Sequence, residues 1–303
     1  MTANPGISLV VPHRNLADHL VECVASIHAQ DLTVPYEVVV VDDASDAPDV
    51  PAALREVGSD LRVRVVAHAS ALGAQRARAT GVRSATLDLV LPLDADDALA
   101  APDQRWGGFP QSAYDILTRR KECAFVHTGS RMFGAVEGTT ISSYPLDEQL
   151  VAHKHHVPTS IVYRRADALA GARYDPAIRK WQDWSYGVEL LATRRARGLG
   201  TAIAFVPGNL HRYRIHDAPG RMSTRPEDEL AMVKLTVRRR PEFFRHWHPD
   251  CAPQHLAERV LAAKPTRLED LLHMAHHDLG AALTVVAERS AQLQSAFDGL
   301  GVP

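Results

Sequence analysis

Residues 93–97 read Leu-Asp-Ala-Asp-Asp, directly after the apolar run Leu87, Leu89, Val90, Leu91. Two carboxylates one residue apart, Asp94 and Asp96, can face the same way on a loop and hold a hard divalent cation, Mn2+ or Mg2+, through oxygen. Aspartates at such a place also serve as turn or cap residues for backbone N–H groups. A second acidic stretch, Val-Asp-Asp-Ala-Ser-Asp at 41–46, puts Asp42 and Asp43 at the end of another apolar run. If both runs are parallel strands of one sheet, their carboxyl ends share the edge at which open α/β folds bind ligands. His-Lys-His-His at 153–156 has no helical i, i+4 pair followed by an acid and no shielding apolar context, so it reads as a solvated or acceptor-side loop rather than a metal site.

The elements that must position these acids are legible around them. Ile7–Val11, Glu37–Val41, Arg62–Ala67 and Leu87–Leu91 are short apolar or β-branched runs at the period of βαβ units. Between them, Leu20, Cys23, Val24 and Ile27 recur at helical spacing within Ala17–Ala29, and Ala74–Ala85 forms a small-residue helix carrying Arg76, Arg78 and Arg83. The first half is therefore an α/β domain with a mainly parallel central sheet. From Ala124 onward, 124–133, 159–165 and 201–208 read as strands and 183–197 as a helix. After Pro226 only charged helical patterns follow, in 227–240 and 268–297. The expected organisation is a domain over 1–225 and a helical carboxy-terminal extension over 226–303.

Composition narrows the classes. The chain has 303 residues, 46% of them hydrophobic, and a formal charge of -2, which suits a soluble globular protein and gives no sign of a nucleic-acid partner. Cys23, Cys123 and Cys251 are odd in number and widely spaced, which argues against a disulfide framework or a CxxC zinc site. The amino terminus lacks a basic start and a long apolar core, and no run approaches a membrane span, so a cytoplasmic setting is expected. There is no GxGxxG after the first strand, which disfavours a dehydrogenase or methyltransferase.

Six stretches in order, VVPHRN at 10–15, VVDDASD at 40–46, LGAQRARATGV at 72–82, LDADD at 93–97, WQDWSYGVEL at 181–190 and YRIH at 213–216, resemble the family 2 glycosyltransferases of GT-A fold. The resemblance implies an inverting, metal-dependent transfer of a sugar from a nucleoside-diphosphate donor. It implies that Pro12, His13 and Asn15 line the nucleotide base and that Asp43 accepts a hydrogen bond from it. It also implies that Asp96 binds Mn2+ or Mg2+ and that Asp94 contacts ribose, or the metal through water. Arg78 would balance these acids or the diphosphate, or be a surface helix charge. Asp183 would be the general base, a role compatible with capping the helix that starts there. Gln182 replaces the usual Glu and Ala79 a common Asn, which leaves the acceptor contacts open. His216 matches a late histidine that joins the metal or diphosphate site in several relatives, or is solvated. Arg221 and Ser223 would sit on a lid over the diphosphate. Trp181 and Trp184 would stack on an acceptor or pack in the core.

The donor implied is a UDP sugar, with GDP or dTDP sugars as alternatives, and the acceptor a small molecule, a peptide or a cell-envelope component. A homodimer through the carboxy-terminal helices is one further expectation. Two rival readings remain: a degenerate GT-A protein that only binds nucleotide or scaffolds, and a phosphatase of the haloacid dehalogenase type. The second wants Thr or Val and a hydrophobic residue after its D-x-D, where this chain has Asp97 and Ala98.

Overall fold

Strands that are apolar on every residue need cover on both faces, and the first strands here get it. The computed structural model describes residues 4–216 and 226–299. Strands β1 (Ile7–His13), β2 (Tyr36–Asp42), β3 (Val63–Ala67) and β4 (Leu89–Pro92) alternate with helices α1 (Ala17–His28), α2 (Val50–Val57) and α3 (Ala74–Ser84). All four strands are parallel, with Val10 paired to Val39 on one side and to Pro92 on the other. Successive side chains leave opposite faces. Val10, Val39, Val41 and Val90 join one core, while Leu9, Val11, Val38, Val40, Leu89 and Leu91 join the other with α1.

The second half adds β5 (Ala98–Leu99), α4 (Phe109–Arg119), β6 (Cys123–Gly134), β7 (Gly138–Thr139), α5 (Glu148–Ala152), β8 (Val162–Arg164), α6 (Arg165–Ala170), α7 (Gln182–Ala196) and β9 (Ala202–Ile215). The sheet order is β3-β2-β1-β4-β8-β6-β9-β5, with β7 attached to β6. β8 runs antiparallel between β4 and β6, β5 antiparallel to β9, and β6 parallel to β9. The result is a mixed α/β fold with a mostly parallel sheet.

Several elements differ from the sequence reading, among them α2 and β9. The helix α2 follows the second acidic stretch, where turn residues mask its short apolar stripe of Val50, Ala53 and Val57. Strand β9 does not stop at Gly208 but continues to Ile215. It passes Pro207 by a bulge, the pairing moving from Thr128↔Val206 to Ser130↔His211. A bulge absorbs a residue that cannot donate to the ladder, and it re-aims the strand beyond it.

After residue 226 come α8 (Glu229–Arg239), α9 (Pro241–Trp247), a 3-10 turn (Pro253–His255), α10 (Leu256–Ala262), α11 (Arg267–His277) and α12 (Leu279–Gly299). Asp228 caps α8 by accepting from the N–H of Ala231 at 3.2 Å, and Thr266 and Glu269 form a reciprocal cap on α11. The pattern over 268–297 divides at Asp278, whose backbone is extended and whose Oδ1 accepts from the N–H of Ala281 at 2.9 Å. Helices α8 to α10 bring Val233, Val237, Phe243, Phe244, Leu256 and Val260 into the same core as Val10 and Trp184. Among the described residues no helix is long and apolar enough to cross a membrane.

Candidate active site

The sheet delivers the acids to its carboxyl edge. Beyond β4, Leu93 and Ala95 point into the core at 0% and 1% exposure, so Asp94 and Asp96 project together. The turn closes with the N–H of Asp97 donating to the Asp94 carbonyl at 2.9 Å. Carboxylate oxygens of Asp94, Asp96 and Asp97 lie within 4.8 Å of one another.

Each acid has a different partner. Arg78 Nη2 donates to both oxygens of Asp94, at 2.7 and 2.8 Å. Asp96 Oδ2 lies 3.0 Å from His216 Nε2, at the end of the continuation of β9 beyond its bulge. Asp97, 3% exposed, accepts from the N–H of Arg214 at 2.8 Å and lies 3.2 Å from His211 Nε2. Burial pushes its carboxyl up to about 6 against the opposing pull of His211. Asp97 thus locks the acidic turn to β9, and Asp96 stays partly open to solvent.

Arg78, from α3, is 4% exposed, and its Nη1 donates to Gln182 Oε1 at 2.9 Å. Burial alone would disfavour the guanidinium charge, but Asp94 and Asp183 outweigh it and hold the group firmly protonated. The substitution at Gln182 acquires a meaning here. An amide oxygen accepts from Arg78 without competing in charge with Asp94.

Asp183 follows in the first turn of α7 and is half-buried. Burial raises its carboxyl above the ordinary carboxylate value, as does the nearby charge of Asp94, while Arg78 and a hydrogen bond from Thr159 oppose the rise. Trp181, just before α7, has φ 56, a left-handed conformation costly for a bulky residue. Asn15 and Ala44, on the loops after β1 and β2, share that strain at φ 54.

Those two loops build a floor. Asn15 Oδ1 accepts from the N–H groups of Asp46 and Ala47 at 2.9 and 3.1 Å, and its Nδ2 donates to Asp46 at 2.6 Å. Asp43 receives the N–H groups of Leu72 and Gly73 at 2.8 and 2.7 Å and lies 2.7 Å from His68 Nδ1. Burial works to raise its pKa, but these bonds outweigh it and keep the carboxyl below its ordinary value. Asp43 stays ionised and clamps the turn that leads into α3.

Burial bears on three of the expectations. His13, 2% exposed, accepts the N–H of Leu16 on Nε2 at 3.2 Å, which leaves Nδ1 to donate to Asp42 at 3.0 Å. With Pro12 buried in the sheet beside it, His13 supports the floor rather than facing a ligand. Trp184, 2% exposed, donates from Nε1 to the Val151 carbonyl at 2.8 Å, so it is core and offers no face to an acceptor. In the histidine-rich stretch, Lys154 and His155 are each 2% exposed, not solvated. Arg221 and Ser223 lie outside the described residues.

Two other residues at the edge are given no role by the sequence reading. Arg214 donates from Nε to the Asp96 carbonyl at 2.7 Å and pairs with Glu22 of α1. His19 packs edge-on against His216 with ring centroids 5.1 Å apart. The signal for Arg214 is the alternation in His-Arg-Tyr-Arg-Ile-His, which becomes legible once 211–215 is read as strand; His19 lies on α1, outside that stretch.

An α/β sheet with an Asp-x-Asp turn at its carboxyl edge, an arginine bridging that turn to the start of α7, and mixed strands beyond is the arrangement of the GT-A fold. Residues 8–103 match the Glycosyl transferase family 2 model. It is 37% identical over 101 residues to an N-acetylglucosaminyltransferase of Bradyrhizobium sp. (strain ANU 289), covering 33% of this chain and 66% of that one. A second N-acetylglucosaminyltransferase, of Bradyrhizobium elkanii, is 37% identical over 98 residues, or 32% of this chain and 54% of its own. The matches thus leave a third or more of each relative unspanned. Among solved structures, S. aureus TarS 1-349 in complex with UDP-GlcNAc superposes with TM-score 0.61 at 15% identity, over 95% of this chain and 92% of that one. The mannosyltransferase PcManGT of Pyrobaculum calidifontis, in complex with GDP-Man and Mn2+, superposes with TM-score 0.54 at 19% identity, over 96% and 81%. At these identities the superpositions show a shared fold.

Proposed function

We propose that the protein transfers a sugar from a nucleoside-diphosphate donor to an acceptor hydroxyl or other nucleophile, with inversion at the anomeric carbon. The observation that carries this reading is the bridge Asp94–Arg78–Gln182, which sets the donor-side acids and Asp183 on one sheet edge through a single buried guanidinium. Asp183 takes the acceptor proton as the acceptor oxygen bonds to the anomeric carbon. The bond from that carbon to the diphosphate oxygen breaks on the opposite face, and its electron pair leaves with the diphosphate. The raised carboxyl of Asp183 makes it a stronger base than an exposed aspartate.

The clustered oxygens of the acidic turn, with His216 beside Asp96, make a hard donor set that suits Mn2+ or Mg2+. Asp96 and His216 would hold such an ion, which when bound neutralises charge developing on the diphosphate. Asp94 then serves the ribose, with its orientation set by Arg78. Asn15 and Asp43 shape the base floor, and Trp181 and Gln182 stand on the acceptor side.

The named relatives make UDP-N-acetylglucosamine the first donor to test, in a cytoplasmic setting, with residues 1–225 as the transferase unit and 226–303 as its helical extension. A homodimer through α11 and α12 is read from their outward Leu268, Leu272, Leu279 and Leu283, each at least 60% exposed. Analytical ultracentrifugation of the wild type and Leu272→Gln/Leu283→Gln tests it: a monomeric wild type removes the dimer. For the reaction, thermal shift against UDP, GDP and dTDP sugars with Mn2+ identifies the donor, and product analysis follows transfer. Asp183→Asn should retain the donor shift and lose transfer; wild-type turnover in that variant removes Asp183 from the mechanism. Donor binding with neither transfer nor donor hydrolysis across a broad acceptor panel would identify a degenerate member instead.

A further inference from the structure

A second charged hollow lies beside α7, lined by Gly171, Arg173, Arg239 and Arg240, with a volume of about 460 Å³. None of these residues belongs to the acidic edge. Arg239 and Arg240 end α8 and reach Glu189 of α7, which is 1% exposed. Arg239 Nε donates to Glu189 Oε1 at 2.9 Å, and its Nη1 lies 3.3 Å from Asp175 Oδ2. Arg240 Nη2 donates to Glu189 Oε2 at 2.6 Å and to the Gly171 carbonyl at 2.8 Å.

The charges do not balance. Three guanidinium groups meet two carboxylates, in a chain whose overall charge is -2. The Arg173 side chain is exposed and has no acidic partner among the described residues. Arg240 Nε is buried and makes no hydrogen bond among them. A buried N–H without a partner is unfavourable unless an acceptor supplies the missing bond, and the Arg240 side chain around it is a quarter exposed.

Planar guanidinium groups with surplus positive charge match the oxygens of a phosphate, which they bind by charge-assisted hydrogen bonds. We propose that this hollow is a binding site for a phosphate-bearing anion, separate from the nucleotide-sugar edge. Arg173 supplies the uncompensated charge, while Arg239 and Arg240 remain anchored to α7 and present their outer N–H groups. The volume accommodates inorganic phosphate, pyrophosphate or the phosphate end of a larger molecule.

The test is isothermal titration calorimetry of the full-length, EDTA-treated protein without nucleotide, using inorganic phosphate, pyrophosphate and phenyl phosphate against chloride at matched ionic strength. Saturable binding with Kd of about 1 mM or tighter is expected for the wild type. Arg173→Glu should weaken it at least tenfold and Arg173→Gln by less, both with unchanged melting temperature because this side chain holds no other group among the described residues. Asp96→Ala should bind as the wild type does. Response to inorganic phosphate indicates a free ion as ligand; response to phenyl phosphate alone indicates a phosphorylated organic group. The proposal is overturned by absence of saturable binding to all three probes, by undiminished affinity in Arg173→Glu, or by loss in Asp96→Ala, which would place the anion on the acidic edge.

Discussion

Arg78 is the residue on which the acidic edge converges, because one guanidinium serves Asp94 with one nitrogen and Gln182 with the other. Lysine cannot reproduce that fork, since an ammonium is a point charge on a flexible stem. Arg78→Lys is therefore expected to lower kcat/KM by roughly 30- to 10³-fold, the scale of losing one preorganised electrostatic contact; steady-state kinetics at saturating acceptor measures it. The proposed base would carry its own signature. To act in that role Asp183 must be deprotonated, and burial raises its carboxyl, so kcat/KM should climb with pH through a midpoint above that of an ordinary aspartate. A flat profile down to pH 4 contradicts the assignment. EDTA should suppress transfer and Mn2+ or Mg2+ restore it, whereas Asp96→Ala should stay inactive at every metal concentration tried. Activity indifferent to chelator would show that the acidic turn works without an ion.

At the scale of elements, the entry to α7 is held by a buried cation. Lys154 Nζ lies 4.6 and 4.8 Å from the ring centroids of Trp181 and Trp184 and 3.3 Å from Glu229 of α8. Lys264 also reaches Glu229, at 2.6 Å. The two substitutions should then differ in sign. Lys154→Met removes a desolvated charge and leaves Glu229 paired with Lys264, so urea unfolding should show it neutral or stabilising. Glu229→Gln strands Lys154 and should cost about 3 kcal/mol. Burial lowers the Lys154 pKa to about 8, with Glu229 opposing the shift, so between about 8 and the unfolded value of 10.5 the unfolded chain binds the extra proton. Wild-type stability should therefore rise across that window relative to Lys154→Met, and no relative change would refute the assigned cause.

For the whole molecule, the helices after residue 226 are unequal in how they are attached. Phe243 and Phe244, at 2% and 0% exposure, sit in the core that also holds Trp184 and the first strands. Burial of such side chains contributes roughly 1.5–3 kcal/mol each, so a chain ending at 225 should lose cooperative unfolding. Helices α11 and α12 close a smaller cluster over Tyr144, with Met274, Ala282 and Val285. A chain ending at 264 should keep a cooperative thermal transition at reduced Tm, with Tyr144 newly exposed to solvent. Calorimetry of both truncations distinguishes an integral cover from an appended one.

By itself the sequence determined the parallel α/β half, because strands buried on both faces and helices covering them leave apolar periodicities that survive without tertiary information. It also located the acids, since Asp94, Asp96 and Asp43 follow those strands directly. What those acids hold onto was decided only in three dimensions: Arg78 reaches Gln182 from 104 positions away, and His216 reaches Asp96 from 120. A proline and a glycine concealed the second half of β9, whose bulge is stabilised by its neighbour β6 rather than by local propensity. The same holds for the two tryptophans at α7. Their types and spacing are alike, and only packing turned Trp184 inward and left Trp181 at the edge, because burial belongs to the assembled core and not to the residue.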